Sequence, residues 1–432
     1  MTTSQPAKVN GEQSQNLIKN GYLFASELRD KAGLPPESSC PVETKFMFED
    51  ALIVRGADGI DFFYDEDVIE RAGAMPHAVG DALVGAQAVH NLDGEAHKVR
   101  KQEMAHMAYD DDRVARFAPI IAEEVDRIVE SWKGAQGNVH HDMSLAYGRA
   151  ALRWAGVDLP QDEADEVVER MTTLLDTFGK PAGTPTAFWQ RKKLNDWSEK
   201  LITSVRAGET QAPADSVLEH MANLKDEQGE LVDDLTAGVE LQNLTRPVVA
   251  AGIFATFAAI ALVENPDWRV RVHEAVEKHD GLPSEVREAI AFSQEVRRFY
   301  PFVPMFPAKA KKDTEFKGCP VHEGERVILD FIGTLHSPEE WENPGTFDPE
   351  RFMQFANQSE AESIKAFIPQ GGADVRTGHR CPGEKLAVTA LSTTVAAMSR
   401  PEVQISSDKA DTTYPMDTML TRPKTGVRVT VK

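Results

Sequence analysis

Two residues stand where their chemistry is conspicuous. Arg246 lies in "NLTRPVVAAGIFATFAAIAL", residues 243–262, a segment with no charge from Pro247 to Leu262. A helix that apolar is buried, and a buried guanidinium without a partner is costly. Something anionic must therefore meet Arg246. Pro247, directly after it, removes a backbone N–H and is expected to kink the helix locally and open room beside it. Cys381 lies in "FIPQGGADVRTGHRCPGEKLAV", between a Gly-rich loop and a helix expected from about Pro382. The helix macrodipole and free backbone N–H groups favour a thiolate there, and His379 and Arg380 add positive charge. Pro382 and Gly383 let the backbone come close to a flat ligand.

Further charged groups recur at telling spacings. "EVRR" places Glu295 and Arg298 at i, i+3, and "FDPERF" downstream supplies Arg351. One carboxylate between two guanidiniums can form a buried bidentate network. "GEAHKVRKQ" sets His97, Arg100 and Lys101 on one helical face. Taken singly, each has a plain reading: a solvated ion pair, a basic surface helix, a structural cysteine in a loop.

The elements that position these residues are mostly helices. "EVDRIVESW", "ADEVVERMTTLLDTF" and "LNDWSEKLITSVRAG" carry apolar residues at i, i+3, i+4 spacing. A long helix is expected from about Asp234 to Glu264, followed by the amphipathic "PSEVREAIAFSQEVRRF". Residues 44–65 read as a short hairpin, and "GERVILDFIG" and "GVRVTVK" as strands. The fold class is mainly α with small β-sheets. Residues 1–16 are polar and expected to form a disordered tail, and no linker or repeat divides residues 17–432. A formal net charge of −22 repels nucleic acid and anionic membranes. Three cysteines, Cys40, Cys319 and Cys381, with no CxxC pair, argue against a disulfide framework and a zinc cage. No signal segment is evident, and the apolar run from Pro247 to Val263 falls short of the ~20 residues of a membrane span. A cytoplasmic protein is expected.

The order of ExxR, then PERF, then a Gly-rich loop with GHRCPGE resembles the cytochrome P450 superfamily, and the resemblance spans essentially the whole chain. It implies a single haem-thiolate domain over residues 17–432 that binds haem b, with the Cys381 thiolate as axial ligand to the iron. His97, Arg100, Lys101 and His379 match positions that hold the haem propionates. Glu295, Arg298 and Arg351 match the structural ion network.

A monooxygenase of that superfamily carries an acid–alcohol pair in its long central helix to relay protons to bound oxygen. Here "LTRPVVAAGIFAT" has no acid, and Arg246 and Pro247 stand nearest the haem. This pair, with "GYLF", "LDGEAHKVRK", "QEVRRFYPF" and the lengthened "IPQGG…GHRCPGE" loop, resembles the fatty-acid peroxygenase branch. There the arginine binds the fatty-acid carboxylate, so the anion that meets Arg246 is the substrate. Hydrogen peroxide already carries the electrons and protons of activated oxygen, so no obligatory redox partner is expected. The bound carboxylate can move the proton that O–O cleavage needs. In "AQAVHNLDG", His90 matches a position above the haem where histidine accompanies alkene formation and glutamine accompanies hydroxylation. Near-neutral histidine chemistry can supply a proton there. Val84 stands where many members carry a phenylalanine that supports this site. The resulting expectation is a decarboxylase giving terminal alkenes with α- and β-hydroxylated side products. The competing readings are a mainly hydroxylating peroxygenase, a reductase-coupled monooxygenase, and a haem sensor or fatty-acid carrier without turnover.

Overall fold

The computed structural model describes residues 7–355, 357 and 359–432. Long helices pack into one large apolar cluster, and small sheets lie at the edge. At its centre runs the helix Asp234–Ala250, in which Pro247 alone between Thr236 and Ala250 is not fully buried. Asp233 starts it, its side chain accepting from the Thr236 N–H at 2.9 Å. The helices Val139–Trp154, Thr184–Arg206 and Glu384–Met398 pack around this run and its continuation, Gly252–Glu264. By length and composition the run could cross a membrane, but 83% of its most apolar window is buried within the fold.

The sequence placed a kink at Pro247; the structure puts the break one turn later. The helix continues through Pro247, and Ala251 then shares its N–H between the carbonyls of Pro247 at 3.3 Å and Val248 at 3.1 Å. That shared bond tightens the turn, and Gly252 starts the second helix. A proline lacks a donor toward the preceding turn, yet the helix continues through it with its neighbours, residues 236–246 and 248–250, buried.

Two β expectations need correction. The six-stranded sheet has the order Ala7–Glu12, Val42–Phe46, Glu49–Val54, Arg326–Asp330, Met305–Ala310, Ile69–Glu70. Its first strand lies in the segment read as a disordered tail. Val9 is buried against Phe24, Leu28 and Val42, and the Thr44 hydroxyl donates to the Val9 carbonyl at 3.0 Å. The stretch is polar because one face only is covered, which composition alone does not register. Residues 1–6 lie outside the described residues. The hairpin expected over 44–65 closes at Val54, and Gly56–Phe63 is a helix whose apolar Ile60 and Phe63 pack under the sheet. The strands expected in "GERVILDFIG" and "GVRVTVK" are Arg326–Asp330 and Arg428–Val431.

The predicted ion network forms as drawn. Arg298 binds both oxygens of Glu295 at 2.7 Å each, and Arg351 Nε lies 3.5 Å from Glu295. Both Glu295 and Arg298 have no exposure, and Arg298 also donates to the carbonyls of Leu335 and Pro344, each at 3.0 Å. Removing one partner leaves an uncompensated buried charge. Glu295→Ala is therefore expected to cost about 3–5 kcal/mol, read as a lowered denaturation midpoint.

Candidate active site

Cys381 sits just before the helix Glu384–Met398, its N–H donating to the Gln370 carbonyl at 3.2 Å. Gly371, at φ +108°, lets the loop double back, and a Cβ there would come within 3.1 Å of the His379 carbonyl. Gly383 lies against the thiol: a Cβ there would make an ordinary contact, 3.8 Å, with Cys381 Sγ. The helix starts later than expected and the macrodipole does not prevail. Burial pushes the Cys381 thiol above its ordinary range and Glu384 adds to this, while Lys101 and the Gly383 N–H oppose it. A thiolate at this position therefore calls for a cation bound directly to sulfur.

Beneath the thiol lies a second ion network. Arg297 reaches Glu384 at 2.9 Å, Arg380 reaches the same carboxylate at 3.0 Å, and Arg297 Nε donates to Gln370 Oε1 at 3.1 Å. Sequence reasoning read Arg380 only as positive charge beside the cysteine and assigned no role to Arg297, Gln370 or Glu384. The signal was present in the first arginine of "EVRR" and the glutamate of "CPGE".

The structure distributes the basic residues of the helix Gly94–Tyr109 over two tasks. His97 is buried and stacks on His379, ring centroids 4.1 Å apart. Burial, reinforced by Lys101 and Arg71, pushes His97 down to about 4; burial with Arg71 and His97 pushes His379 down as well. Two neutral stacked imidazoles beside Arg71 and Lys101 form a donor-rich corner suited to carboxylates. Lys101 donates to the Arg380 carbonyl next to the cysteine, and burial brings it down to about 8. Arg100 turns elsewhere. It donates to the Gln87 carbonyl at 2.7 Å and to Glu240 at 3.3 Å, and its Nε is buried without a partner.

On the other side of the site stands Arg246, 4% exposed. Nη2 donates to Asn243 Oδ1 at 2.9 Å, Nε has no partner, and among the described residues no carboxylate pairs with the guanidinium. Burial lowers it to about 10, and the Cys381 sulfur is near enough to counter part of that. It remains a cation at neutral pH with donors to spare. His90 lies on the 3-10 turn Val89–Asn91; its ring keeps accessible surface although Arg246, Lys101 and His97 surround it. Burial first, then the Arg246 charge, pushes His90 down to about 3. Burial and the Arg246 charge thus favour the neutral ring over the near-neutral titration expected from the sequence, and the proton donor of that form is an imidazole N–H. Val84 caps the helix His77–Leu83, and its carbonyl accepts from Asn243 Nδ2 at 3.0 Å.

A second buried guanidinium was not foreseen. Arg191, on the helix Thr184–Arg206, donates to the carbonyls of Ala82 (3.0 Å) and Leu83 and to Gln242 Oε1 at 2.5 Å. It clamps the end of the Val84 helix to the central helix. Its burial and the proximity of Arg246 lower it to about 9.

These groups fit a haem. A soft, half-buried sulfur donor stands at the loop, and stacked imidazoles and cations gather beside it. A family model described as Cytochrome P450 matches residues 253–431. The probable cytochrome P450 4s3 of Drosophila melanogaster is 29% identical over 177 residues, 40% of this chain and 34% of that protein. The chain thus spans about a third of that curated relative. Solved structures match over nearly their full length. A variant of cytochrome P450 OleT in complex with arachidonic acid superposes with a TM-score of 0.88, 27% identity, and 99% and 98% of the two chains covered. Cytochrome P450SP alpha (CYP152B1) in complex with (R)-ibuprophen gives 0.86, 31% identity, and 97% and 98% coverage. Identity of 31% sustained over 98% of a solved relative shows the family: this chain belongs to the cytochrome P450s, in their fatty-acid peroxygenase branch, and is a haem-thiolate oxidoreductase.

Proposed function

We propose that the protein is a hydrogen-peroxide-dependent fatty-acid peroxygenase that converts long-chain acids mainly to terminal alkenes, with α- and β-hydroxylation alongside. One observation carries the reading. Arg246 is a buried cation whose bond is to a neutral amide and whose Nε is free, in a chain of net charge −22. A carboxylate supplies the missing countercharge; an uncharged substrate does not.

Cys381 is assigned as the iron ligand of haem b, with His97, His379 and Lys101 toward the propionates; Arg100, expected there from the sequence, is instead engaged by Gln87 and Glu240. When bound, the haem supplies the two-electron oxidation with peroxide as oxidant. Arg246 holds the substrate carboxylate by charge-assisted bonds and thereby brings Cα and Cβ to the reacting centre. The carboxylate, within reach of the Arg246 N–H groups, takes and returns the proton that must cross from one peroxide oxygen to the other. In hydroxylation, one C–H and one peroxide give C–OH and water. In decarboxylation, the acid and one peroxide give the alkene, CO2 and two waters. His90 favours the second outcome: its N–H can bond the departing head group, and a carboxylate on Arg246 offsets the smaller, charge-borne part of its lowered basicity, burial being the larger. The surface beside the cysteine loop supports independence from a redox partner. It carries Asp111, Asp112 and Asp374, while Arg376 and Lys385 are paired with Asp110 and Asp111. An acidic electron-transfer protein is repelled there.

The test is turnover of three probes of equal chain length with peroxide and no reductase: a saturated acid, its methyl ester and the primary alcohol. Conversion of the acid alone is expected; equal conversion of all three contradicts the assignment of Arg246. His90→Gln is expected to raise the ratio of hydroxy acid to alkene by up to about tenfold, since ~1.4 kcal/mol of differential barrier suffices. Substrate affinity should change little. A fixed ratio with haem content intact would make His90 a packing residue.

A further inference from the structure

We propose that Glu240 is a positioning residue for the carboxylate site: through Asn243 it fixes the orientation in which Arg246 meets the substrate. The inference rests on Arg246 being the carboxylate anchor. Glu240, Asn243 and Arg246 follow one another at three-residue steps along the central helix, so their side chains form a ladder on one face. Glu240 has no exposure. Its Oε1 accepts from the Val89 N–H at 2.7 Å and from Arg100 Nη1 at 3.3 Å; its Oε2 accepts from Asn243 Nδ2 at 3.1 Å. The same Nδ2 donates to the Val84 carbonyl at 3.0 Å. Both amide protons of Asn243 are thus drawn to acceptors, and Oδ1 is turned the opposite way, onto Arg246 Nη2 at 2.9 Å.

The direction of this chain follows from what each group can do. Burial raises Glu240, but both its oxygens face donors, a backbone N–H, a guanidinium and an amide NH2, so it only accepts here; a carbonyl only accepts, a guanidinium only donates, and an amide does one at each end. Asn243 therefore has a single orientation that satisfies both neighbours. The flipped amide would set N–H against N–H at Arg246 and leave Glu240 facing an oxygen. Because Asn243 is neutral, it holds one Arg246 N–H without cancelling the charge, and the remaining donors, Nε among them, stay available to a carboxylate. An aspartate in that place would neutralise the site. Glu240 also anchors the backbone of Val89, next to His90, and so ties the turn that bears His90 to the helix that bears Arg246. A plainer role exists for this glutamate: balancing the charge of Arg100 in the core. The two roles part in what they do to different ligands.

Glu240→Gln keeps the size and can keep an acceptor toward Val89 and Arg100, but it must present an NH2 group to Asn243. Asn243→Ala removes the link and leaves the Glu240–Arg100 pair in place. Both are measured as holoenzyme, by calorimetric and optical titration with myristic acid and with tetradecan-1-ol. Each variant is expected to weaken myristic acid about tenfold, the worth of one buried charge-assisted bond, while tetradecan-1-ol shifts by less than about twofold. The double variant should be no weaker than Asn243→Ala alone, because both act through one link. Equal weakening of acid and alcohol, or losses that add, would overturn the proposal. If Glu240→Gln does not fold, the acid-to-alcohol comparison in Asn243→Ala decides alone. Arg246→Leu is titrated alongside. Retained myristic acid affinity there would overturn the anchor reading itself; lost affinity there, with normal acid binding in Glu240→Gln and Asn243→Ala, would overturn only the positioning role.

Discussion

Replacing Cys381 by alanine is expected to remove the thiolate-type spectrum of the reduced carbonyl complex and to bring peroxide-driven turnover to background. Among the three cysteines, all within the described residues, Cys381 is the one set against the cationic corner and the Gly-rich loop. Cys40 is exposed on the surface, and Cys319 lies in a small two-stranded sheet where burial pushes it up to about 11. Neither can stand in. The thiolate also donates electron density that favours O–O cleavage, so a variant that binds haem through another ligand should still fail at turnover. Burial raises the free thiol, which makes sulfur ionisation depend on the bound metal; the alanine variant should therefore lose haem affinity as well. A variant that keeps both spectrum and turnover would place the iron ligand elsewhere.

Arg246→Leu has an expected effect of opposite sign on stability and on binding. Fatty-acid affinity should fall roughly 10- to 100-fold, the worth of one or two charge-assisted bonds formed away from water. Stability should hold or rise, because a buried cation with an unpartnered Nε is exchanged for an apolar side chain in an apolar helix. Few substitutions of a buried residue behave this way, and thermal unfolding of the holoenzyme reads it directly. A short carboxylic acid added from solution should restore part of the peroxide activity toward substrates that lack a carboxyl group. It would sit in the space vacated at the head group and carry the proton in place of the missing substrate carboxylate. Unchanged fatty-acid affinity would show that another group holds the acid.

The residues legible in the sequence were those whose chemistry is local. A charge in an apolar run, a cysteine at a helix start and an acid three residues before an arginine announce themselves without a fold. Glu240 and Asn243 did not, because their meaning lies in Val84 and Val89, far back along the chain. The bond from the Val89 N–H to the Glu240 carboxylate joins positions 151 residues apart, a separation that no periodicity reveals. Arg191 was hidden in the same way, its partners being carbonyls on the helix that ends at Leu83. Arg297 and Glu384 were quoted within motifs but given no role, since the neighbouring Arg298 already accounted for the ion pair. The strand Ala7–Glu12 escaped because backbone pairing with Val42–Phe46 and little apolar packing beyond Val9 hold it. His90 was expected to titrate near neutrality; burial first, then cations brought by other segments, lower it, and neither is visible in its local sequence.

The central claim is that peroxide alone drives oxidation of an acid held by Arg246. Its most direct test is anaerobic incubation of the holoenzyme with a saturated fatty acid and heavy-oxygen-labelled hydrogen peroxide, without reductase, and product analysis by mass. The expected products are a terminal alkene one carbon shorter than the acid, together with α- and β-hydroxy acids that carry the label. Unaltered fatty acid under these conditions, with turnover appearing only when a reductase and molecular oxygen are supplied, would contradict it.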